Sequence, residues 1–278
     1  MGRMGKGGDD SSKHSALAEE AGDSGRSGKN EAVAEQPGES VFQDEAGKSV
    51  NPDKITVHIL VPIRDLVHGW FSYSLALVCG FMGKEHPYVD MHLLFNNGTI
   101  LANQRQELAK LAMLHGADWT IWFDSDMRFP KDTIERLLAH RHPIVLAGYP
   151  TRKPPAIDST VYLDDTTESK LFTEESSTGL QQVASGGFGC VAVHRSVYEA
   201  MEPPWFHIPW DEENMRYGCG EDVYFFRKAR EAGFPVMLDH DLSKRIAHIG
   251  NYEFTYKDAL AAREHLEELT PPRIKIAS

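Results

Sequence analysis

Residues 118–138, DWTIWFDSDMRFPKDTIERLL, contain the succession of features that decides the fold of this chain. The run from Asp118 to Phe123 is short and apolar, which predicts a strand. Asp124-Ser125-Asp126 follows at once, and Pro130 stands where the first residue of a helix is expected. The inner face of that helix is predicted to carry Ile134, Leu137 and Leu138.

Strands and helices also alternate in the residues around this stretch. Ile55, Val57, Ile59 and Val61 occur at every second position and Pro62 ends the run, which predicts a strand. Further predicted elements are a helix over 71–82, a strand over Tyr88–Phe95, a helix to about His115 with Leu101, Leu108, Leu111 and Ala112 on one face, and a strand over Ile144–Tyr149. This alternation predicts an α/β fold with a mostly parallel sheet and right-handed crossovers.

The second half of the chain has a less regular pattern. Residues 151–185 are polar, with short strand-like pieces around Val161 and Leu171. The elements predicted after them are a strand over Phe188–His194, a helix over Arg195–Met201, a helix over Gly220–Ala232, a strand over Pro235–Asp239 and a helix over Lys257–Leu269.

The first 53 residues differ in composition from the rest. Gly, Ser, Glu and Ala dominate them, and Phe42 is their only aromatic residue. Such a segment buries too little apolar surface to offset its ordering entropy, so we expect a disordered tail over 1–53 and a single domain over 54–278. An arm that orders on binding is the alternative.

Charge, cysteine content and hydropathy exclude some classes of protein. The net charge of -12 argues against an open, charge-driven surface for nucleic acid, although it leaves room for a local basic groove. Three widely spaced cysteines indicate neither a disulfide framework nor a Cys-rich zinc site, and they favour a reducing compartment. Because no apolar run is long enough to span a bilayer and no signal peptide is visible, we expect a cytoplasmic protein without a membrane partner.

The acidic pair Asp124 and Asp126 is the first candidate site. Ligands of open α/β sheets bind outside the carboxyl ends of the strands, where this pair falls. In extended chain, residues two apart point to the same side, and paired carboxylates suit a hard divalent cation shared with a diphosphate. An ordinary Asp-rich turn is the alternative.

The segment from Trp122 through Asp126 to Pro130 resembles the strand–Asp-x-Asp–helix segment of GT-A glycosyltransferases. The wider stretch, roughly residues 55–250, is similar to a phage-associated branch of the family 2 glycosyltransferases. Four further segments carry this resemblance: Leu60-Val61-Pro62-Ile63-Arg64-Asp65, Asn103-Gln104-Arg105, Gly148-Tyr149-Pro150-Thr151-Arg152, and Ser185-Gly186-Gly187-Phe188-Gly189 leading to Arg195. It implies a GT-A-like, Rossmann-like mixed sheet flanked by helices, a nucleotide-sugar donor such as a UDP-sugar, and Mn²⁺ or Mg²⁺.

The resemblance also implies a donor site. Its expected members are Pro62, Arg64, Asp65, Asn103, Arg105, Asp124, Ser125, Arg152 and Gly187. Guanidinium groups such as those of Arg105 and Arg152 match diphosphate oxygens, but solvated surface arginines are the alternative. Gly187 would place bare backbone beside a ligand or only form a tight turn. Relatives often have an Arg-Asn pair where this chain has Arg105-Gln106, which weakens the assignment of Asn103 and Arg105.

Glu221 and Asp222 form a second acidic pair, at the predicted start of a helix. Carboxylates are stabilised there by the helix dipole, which would account for them without any catalytic role. The resemblance implies that Asp222 is the catalytic base and that Glu221 orients the acceptor or braces the loop. It further implies that His248 joins Asp124 and Asp126 at the metal, with His240 as the second choice, and a histidine ligand would favour manganese over magnesium.

Four aromatic residues precede this acidic pair: Trp205, Phe206, Trp210 and Tyr217. They suit sugar rings or stacked bases, and packing in the core is the alternative. The expected activity is metal-dependent sugar transfer to an acceptor hydroxyl, with a hydroxymethylated base in phage DNA, a polysaccharide or a protein as the acceptor. A nucleotidyltransferase on a related sheet and a non-catalytic carbohydrate-binding module are the alternatives.

Overall fold

The alternating run that begins at Ile55 forms the first long strand of the sheet. The computed structural model describes residues 54–153, 157–166, 168–250 and 253–269, with side chains to residue 264. It also describes two short strands of the tail, β1 (Phe42–Gln43) and β2 (Ser49–Val50), which pair antiparallel. The rest of the predicted disordered tail lies outside the described residues.

A seven-stranded sheet organises the protein, and its strands follow the predicted alternation. They are β3 (Ile55–Ile63), β4 (Val89–Asn97), β5 (Trp119–Phe123), β7 (Ile144–Leu146), β8 (Leu180–Val183), β9 (Cys190–His194) and β12 (Val236–Asp239), in the order β4-β3-β5-β9-β7-β12-β8. β3, β4, β5, β7 and β12 run in one direction, whereas β8 and β9 run in the other. The sheet is therefore mixed and mostly parallel, as expected.

Helices cover both faces of this sheet. They are α1 (Gly69–Glu85), α2 (Leu101–Leu114), α3 (Thr133–Ala139), α4 (Arg195–Glu199), α5 (Glu221–Glu231), α6 (His240–Ser243) and α7 (Tyr256–Leu269). One apolar cluster joins α2, α4 and α5 to one face, and a second joins α1, α3 and α6 to the other. The result is a single α/β domain of three layers, which confirms the predicted fold class.

Two small sheets lie beside the central one. β6 (Met127–Arg128), β13 (Ala247–Ile249) and β14 (Glu253–Phe254) form a three-stranded sheet directly after the acidic segment. β10 (Trp210–Asp211) and β11 (Arg216–Tyr217) form a short hairpin. The small sheet is important for the site because it begins one residue after Asp126.

Several predicted boundaries and faces were wrong. Pro130 is not the first helical residue, because its carbonyl accepts the backbone N–H and the hydroxyl of Thr133, and α3 begins at Thr133. β7 stops at Leu146 rather than Tyr149, since the N–H of Gly148 bonds to the hydroxyl of Ser243 instead of a neighbouring strand. Leu101 and Leu111, expected on one face of α2 with Leu108 and Ala112, are exposed, whereas those two are buried.

Among the residues that the structure describes, no helix is both long and apolar enough to cross a membrane.

Candidate active site

The candidate site lies where β5 ends, at the carboxyl edge of the parallel strands. The N–H of Asp124 still bonds to the carbonyl of Gly189 on the β9 side. The chain then turns, because the N–H of Met127 bonds to the carbonyl of Asp124, 3.1 Å away. The expected extended geometry is therefore absent, and the carboxylates of Asp124 and Asp126 contact different partners.

Asp124 is held from inside the protein by Arg105 of α2. Nη2 of Arg105 lies 2.9 Å from Oδ1 of Asp124, and Nη1 donates to the carbonyl of Phe188 at 3.1 Å. The Arg105 side chain is only 2% exposed, and its guanidinium carbon lies 5.0 Å from the centre of the Phe188 ring. A guanidinium enclosed in this way is charged and needs the carboxylate beside it.

Arg105 also reaches the second acidic pair. Its Nε lies 3.3 Å from Oε1 of Glu221, an ion pair whose geometry does not make a hydrogen bond. One buried cation thus joins the end of β5 to the start of α5. The expectation that Arg105 meets a diphosphate is not supported by this geometry, because its fork points at Asp124, Phe188 and Glu221 rather than at solvent.

Asp126 is held instead from the rim of the site. Nη2 of Arg152 lies 2.6 Å from its Oδ2, and Nε2 of His248 lies 3.5 Å from its Oδ1. Although burial opposes ionisation, the hydrogen bond with His248 and the charge of Arg152 hold the pKa of Asp126 below its usual value. The N–H of Ile249 bonds to the Asp126 carbonyl, so β13 fixes this position from the small sheet.

Asp126 and His248 are the two expected metal ligands that the fold brings together. Nδ1 of His248 also lies 3.1 Å from the carbonyl of Pro150, which orients the ring. Within the described part of the chain, no three His, Cys, Asp or Glu side chains form a group that could hold a metal ion. Asp124 differs from the expected arrangement because it is committed to Arg105. His240, the second choice, is buried against Thr173 and Gln181, away from both aspartates.

Glu221 and Asp222 occupy the first turn of α5, as predicted. Gly220 precedes them, and a Cβ atom there would lie 2.5 Å from Oδ1 of Asp222, so a larger residue would require this carboxylate to move. Burial, together with the nearby charge of Glu221, raises the pKa of Asp222 to about 6. No lysine, arginine or histidine among the described residues lies within ion-pair distance of Asp222.

Tyr149 explains the glycine-rich segment that precedes β9. Its hydroxyl accepts the N–H of Gly189, and a Cβ atom on Gly187 would lie 2.4 Å from the same oxygen. The ring therefore occupies the space that side chains at Gly187 and Gly189 would need. Close packing against Tyr149, which is neither the ligand contact nor the tight turn predicted for Gly187, accounts for the glycine without a ligand.

Some of the expected donor-site residues lie apart from these acids. Pro62 is buried in β3, whereas Arg64 and Asp65 are exposed in the following loop and contact each other at 3.6 Å. Asn103 is exposed and helps to line a cavity of about 290 Å³ between the carboxyl end of β4 and the first turns of α2. Ser125 joins this loop to the acidic turn, because its carbonyl accepts the N–H of His68.

Two glutamines that were not predicted as site residues support the candidate site through hydrogen bonds to the backbone. Nε2 of Gln104 donates to the carbonyls of Ile63 and Asn96, which joins the ends of β3 and β4. Oε1 of Gln106 accepts the N–H groups of Trp205 and Phe206. A side chain with both an acceptor and enough reach is needed at position 106, which gives a local reason for glutamine in place of asparagine. The only feature of the sequence that could have indicated this role was the position of Gln106 directly after Arg105.

The four aromatic residues before α5 divide into two pairs. Trp205 and Phe206 are buried, and Phe206 stacks on Phe225 with ring centres 4.8 Å apart. Trp210 and Tyr217 face each other across the β10–β11 hairpin and are 50% and 68% exposed. The alternative of core packing is therefore correct for Trp205 and Phe206. Of the four aromatic residues, only Trp210 and Tyr217 are available to a ligand.

Comparisons with known proteins give structural neighbours only. No protein-family model matches the sequence, and no curated protein matches it. Among solved structures, the chain is similar to the A197 protein from STIV, with 17% identity and a TM-score of 0.45 over 70% of this chain and 86% of the other. A Drosophila β-1,4-galactosyltransferase 7 variant in complex with manganese, UDP-Gal and xylobiose aligns at 17% identity and a TM-score of 0.40, over 71% of each chain. GalNAc-T7 with UDP, GalNAc and Mn²⁺ aligns at 10% identity and a TM-score of 0.44, over 81% of this chain and 46% of that one.

Proposed function

We propose that this protein is a metal-dependent glycosyltransferase that moves a sugar from a nucleotide-sugar to an acceptor hydroxyl. The observation that carries the proposal is that the four acids of the site differ in whether they have a cationic partner. Asp124, Asp126 and Glu221 each have a cationic partner, whereas Asp222 has none in ion-pair range. A partly buried carboxylate with no cationic partner and a raised pKa has the property that a general base requires.

Asp222 would take the proton of the acceptor hydroxyl. The acceptor oxygen then forms a bond to the anomeric carbon, and the bond from that carbon to the diphosphate oxygen breaks with its electron pair. The nucleoside diphosphate leaves, and the proton stays on Asp222 until solvent removes it. With a pKa of about 6, the carboxylate is ionised at neutral pH. A protein base favours direct displacement, and therefore inversion at the anomeric carbon.

Asp126 and His248 would hold the divalent ion, with the diphosphate and water as the remaining ligands. A mixed carboxylate and imidazole donor set fits Mn²⁺ better than Mg²⁺. When bound, the ion would neutralise charge on the diphosphate. We assign Arg152 to the same phosphates, since its guanidinium lies at the rim beside Asp126.

The nucleoside of the donor, which we take to be a UDP-sugar, would lie at the ends of β3 and β4. Arg64 and Asp65 follow β3 in the chain, and Asn103 is one of four amide side chains that line the cavity of about 290 Å³ at the end of β4. We assign the catalytic domain to residues 54–278. The resemblance to a phage-associated branch makes a hydroxymethylated base in DNA a candidate acceptor, and the net charge of -12 argues for testing glycans beside it.

The experiment begins with a thermal-shift screen of nucleotide-sugars in the presence of Mn²⁺, followed by turnover at saturating donor. Asp222→Asn keeps the shape and removes the basicity, so transfer should fall roughly a hundredfold or more while donor binding persists. Glu221→Gln should be milder. Glu199→Gln, an exposed acid on α4, serves as the control.

Near-normal turnover of Asp222→Asn would place the base elsewhere. Stabilisation by nucleoside triphosphates but not by nucleotide-sugars would favour the nucleotidyltransferase alternative. A response to free sugars alone, without metal dependence, would favour the carbohydrate-binding module.

A further inference from the structure

Among the described residues, Arg105 is the one side chain that forms ion pairs with both acidic pairs of the site. Its three contacts come from three separate segments: Asp124 after β5, the Phe188 carbonyl before β9, and Glu221 at the start of α5. The segment that carries Arg105, helix α2, lies beneath them and packs on β3 and β4. No other described cation contacts Asp124 or Glu221 within ion-pair distance.

The guanidinium fork cannot serve a ligand and these contacts at once. The side chain is 2% exposed, and the Phe188 ring covers it. A lysine would retain the charge but would lack the planar arrangement of donors that reaches a carboxylate and a carbonyl together. Arginine at this position is therefore explained by protein contacts.

We propose that Arg105 is a positioning residue that holds the Glu221 side chain inward and thereby leaves Asp222 as the acid available to the acceptor. This inference rests on the proposed function, in which Asp222 is the base. Consecutive helical residues point about 100 degrees apart, so fixing Glu221 on the Arg105 side turns Asp222 to a different direction. The family resemblance assigned Arg105 to the donor, whereas these contacts assign it to the base.

Loss of Arg105 should affect Asp222 through charge as well as through position. The titratable groups around Asp222 are Glu221 on the same helix, the thiol of Cys219 before it, Arg105 on α2, Asp124 after β5, and the hydroxyls of Tyr149 and Tyr162. Arg105 is the only cation in this set. Removing it leaves Glu221 and Asp222 adjacent without compensation, which disfavours two ionised carboxylates.

The test compares Arg105→Gln, Arg105→Lys and the double variant Arg105→Gln/Glu221→Gln, by pH profile and by thermal unfolding. Arg105→Gln should lower kcat at least tenfold and move the acidic limb of kcat/KM upward by about one pH unit. The KM of the donor should change less than twofold. Compared with Arg105→Gln, Arg105→Lys should move the acidic limb part of the way back toward that of the parent, because lysine retains the positive charge but lacks the planar guanidinium group.

The double variant separates positioning from a merely structural role. Once Glu221 is neutral, the loss of Arg105 leaves one carboxylate fewer without a counter-charge. The double variant should therefore unfold at a higher temperature than Arg105→Gln alone. Its acidic limb should also return toward that of the parent. Arg195→Gln is the control, since Arg195 also donates to two carbonyls but lies away from the acids.

Three results would overturn the inference. An unchanged limb with no rescue in the double variant would make Arg105 a structural support only. A tenfold rise in donor KM with an unchanged limb would return Arg105 to the donor site. If the parent transfers no sugar at all, the proposed function fails, but the thermal rescue still decides whether Arg105 and Glu221 are coupled.

Discussion

Asp124 and Asp126 are separated by a single residue, yet the protein holds them in opposite ways. Asp124 pairs with a guanidinium that is 2% exposed and enclosed by Phe188, while Asp126 pairs with Arg152, which is 42% exposed. The two aspartate side chains are themselves similarly exposed, at 22% and 24%, so the difference lies in their partners, after which we call Asp124 the inner acid and Asp126 the rim acid. The same residue type in one short motif therefore occupies two electrostatic environments.

This difference indicates a division of labour. Removing one partner of a buried ion pair leaves an uncompensated charge, whereas exposed pairs contribute little to stability and exchange readily. The inner acid is therefore part of the framework that joins β5 to α5. The rim acid is the one that can leave its arginine for a ligand, and we assign the divalent ion to it.

The largest expected effect is the loss of stability in Asp124→Asn. Arg105 would lose its closest partner, which should cost about 3–5 kcal/mol, nearer the lower figure because Glu221 remains. Asp126→Asn should cost less than about 1 kcal/mol, because its arginine is solvated. Urea unfolding of both variants at one pH measures the contrast. Equal losses would mean that the two pairs do not differ in energy, which would remove the basis of this division.

A buried ionisable group without an ion-pair partner extends the comparison, although the charges of Asp90 and Asp118 lie near it and oppose the lowering of its pKa. His58 of β3 is 1% exposed, and neither of its ring nitrogens has a hydrogen-bond partner. Burial, with smaller contributions from His92 and His115, lowers its pKa to about 4. Between pH 6.5 and 4, His58 therefore binds a proton in the unfolded chain but not in the folded protein. The free energy of unfolding should fall as pH decreases through that window.

Between pH 7 and pH 5 this group should remove about 2 kcal/mol from the free energy of unfolding. His58→Leu should lose this part of the pH dependence, and His92→Asn, at an exposed neighbour, should keep it. The measurement is urea unfolding of the three proteins at both pH values. The same slope in His58→Leu as in the parent would show that His58 is protonated in the folded protein.

The sequence predicted the long elements well and the short ones poorly. β3 carries a period over enough residues to be recognised, and the helices α1 and α5 were predicted close to their observed bounds. The strands β6 and β13 have only two and three residues, too few for any period, although they fix the position of Asp126. Their existence depends on pairing between residues far apart in the chain, which local pattern cannot reveal.

The candidate site was predicted in outline and not in its contacts. Spacing identified the acidic pairs, and the resemblance selected Asp222 and His248 over Glu221 and His240. The inward fork of Arg105 could not be predicted, because it depends on Phe188 and Glu221 converging from other elements. Gln106 was noticed only as a departure from relatives, and its contacts with the Trp205–Phe206 segment appear only in three dimensions.

In metal-dependent binding we expect the larger effect from Asp126 rather than from Asp124, which is the reverse of the contrast expected in stability. Asp126→Asn should weaken the binding of a nucleoside diphosphate in Mn²⁺ at least about tenfold, since a carboxylate ligand of the ion is lost. Calorimetry with UDP, with and without Mn²⁺, measures the effect. Asp132→Asn is the matched control, because Asp132 is similarly exposed and pairs with Arg245. Unchanged affinity in Asp126→Asn would refute the assignment of the ion to the rim.

The smallest expected effect comes from the partner of the rim acid. In Arg152→Gln, Asp126 loses its closest counter-charge, so Mn²⁺ alone should bind about threefold more tightly, the scale of one exposed ion pair. UDP in the presence of Mn²⁺ should bind about threefold more weakly, because the guanidinium no longer meets the diphosphate. Arg128→Gln is the control, since Arg128 has a similar exposure and pairs with Glu253 on the neighbouring β14. The two affinities must move in opposite directions for Arg152 to exchange its carboxylate for a phosphate. If both weaken together, Arg152 only supports the turn, and if Mn²⁺ affinity does not change, Asp126 is not restrained by its arginine in solution.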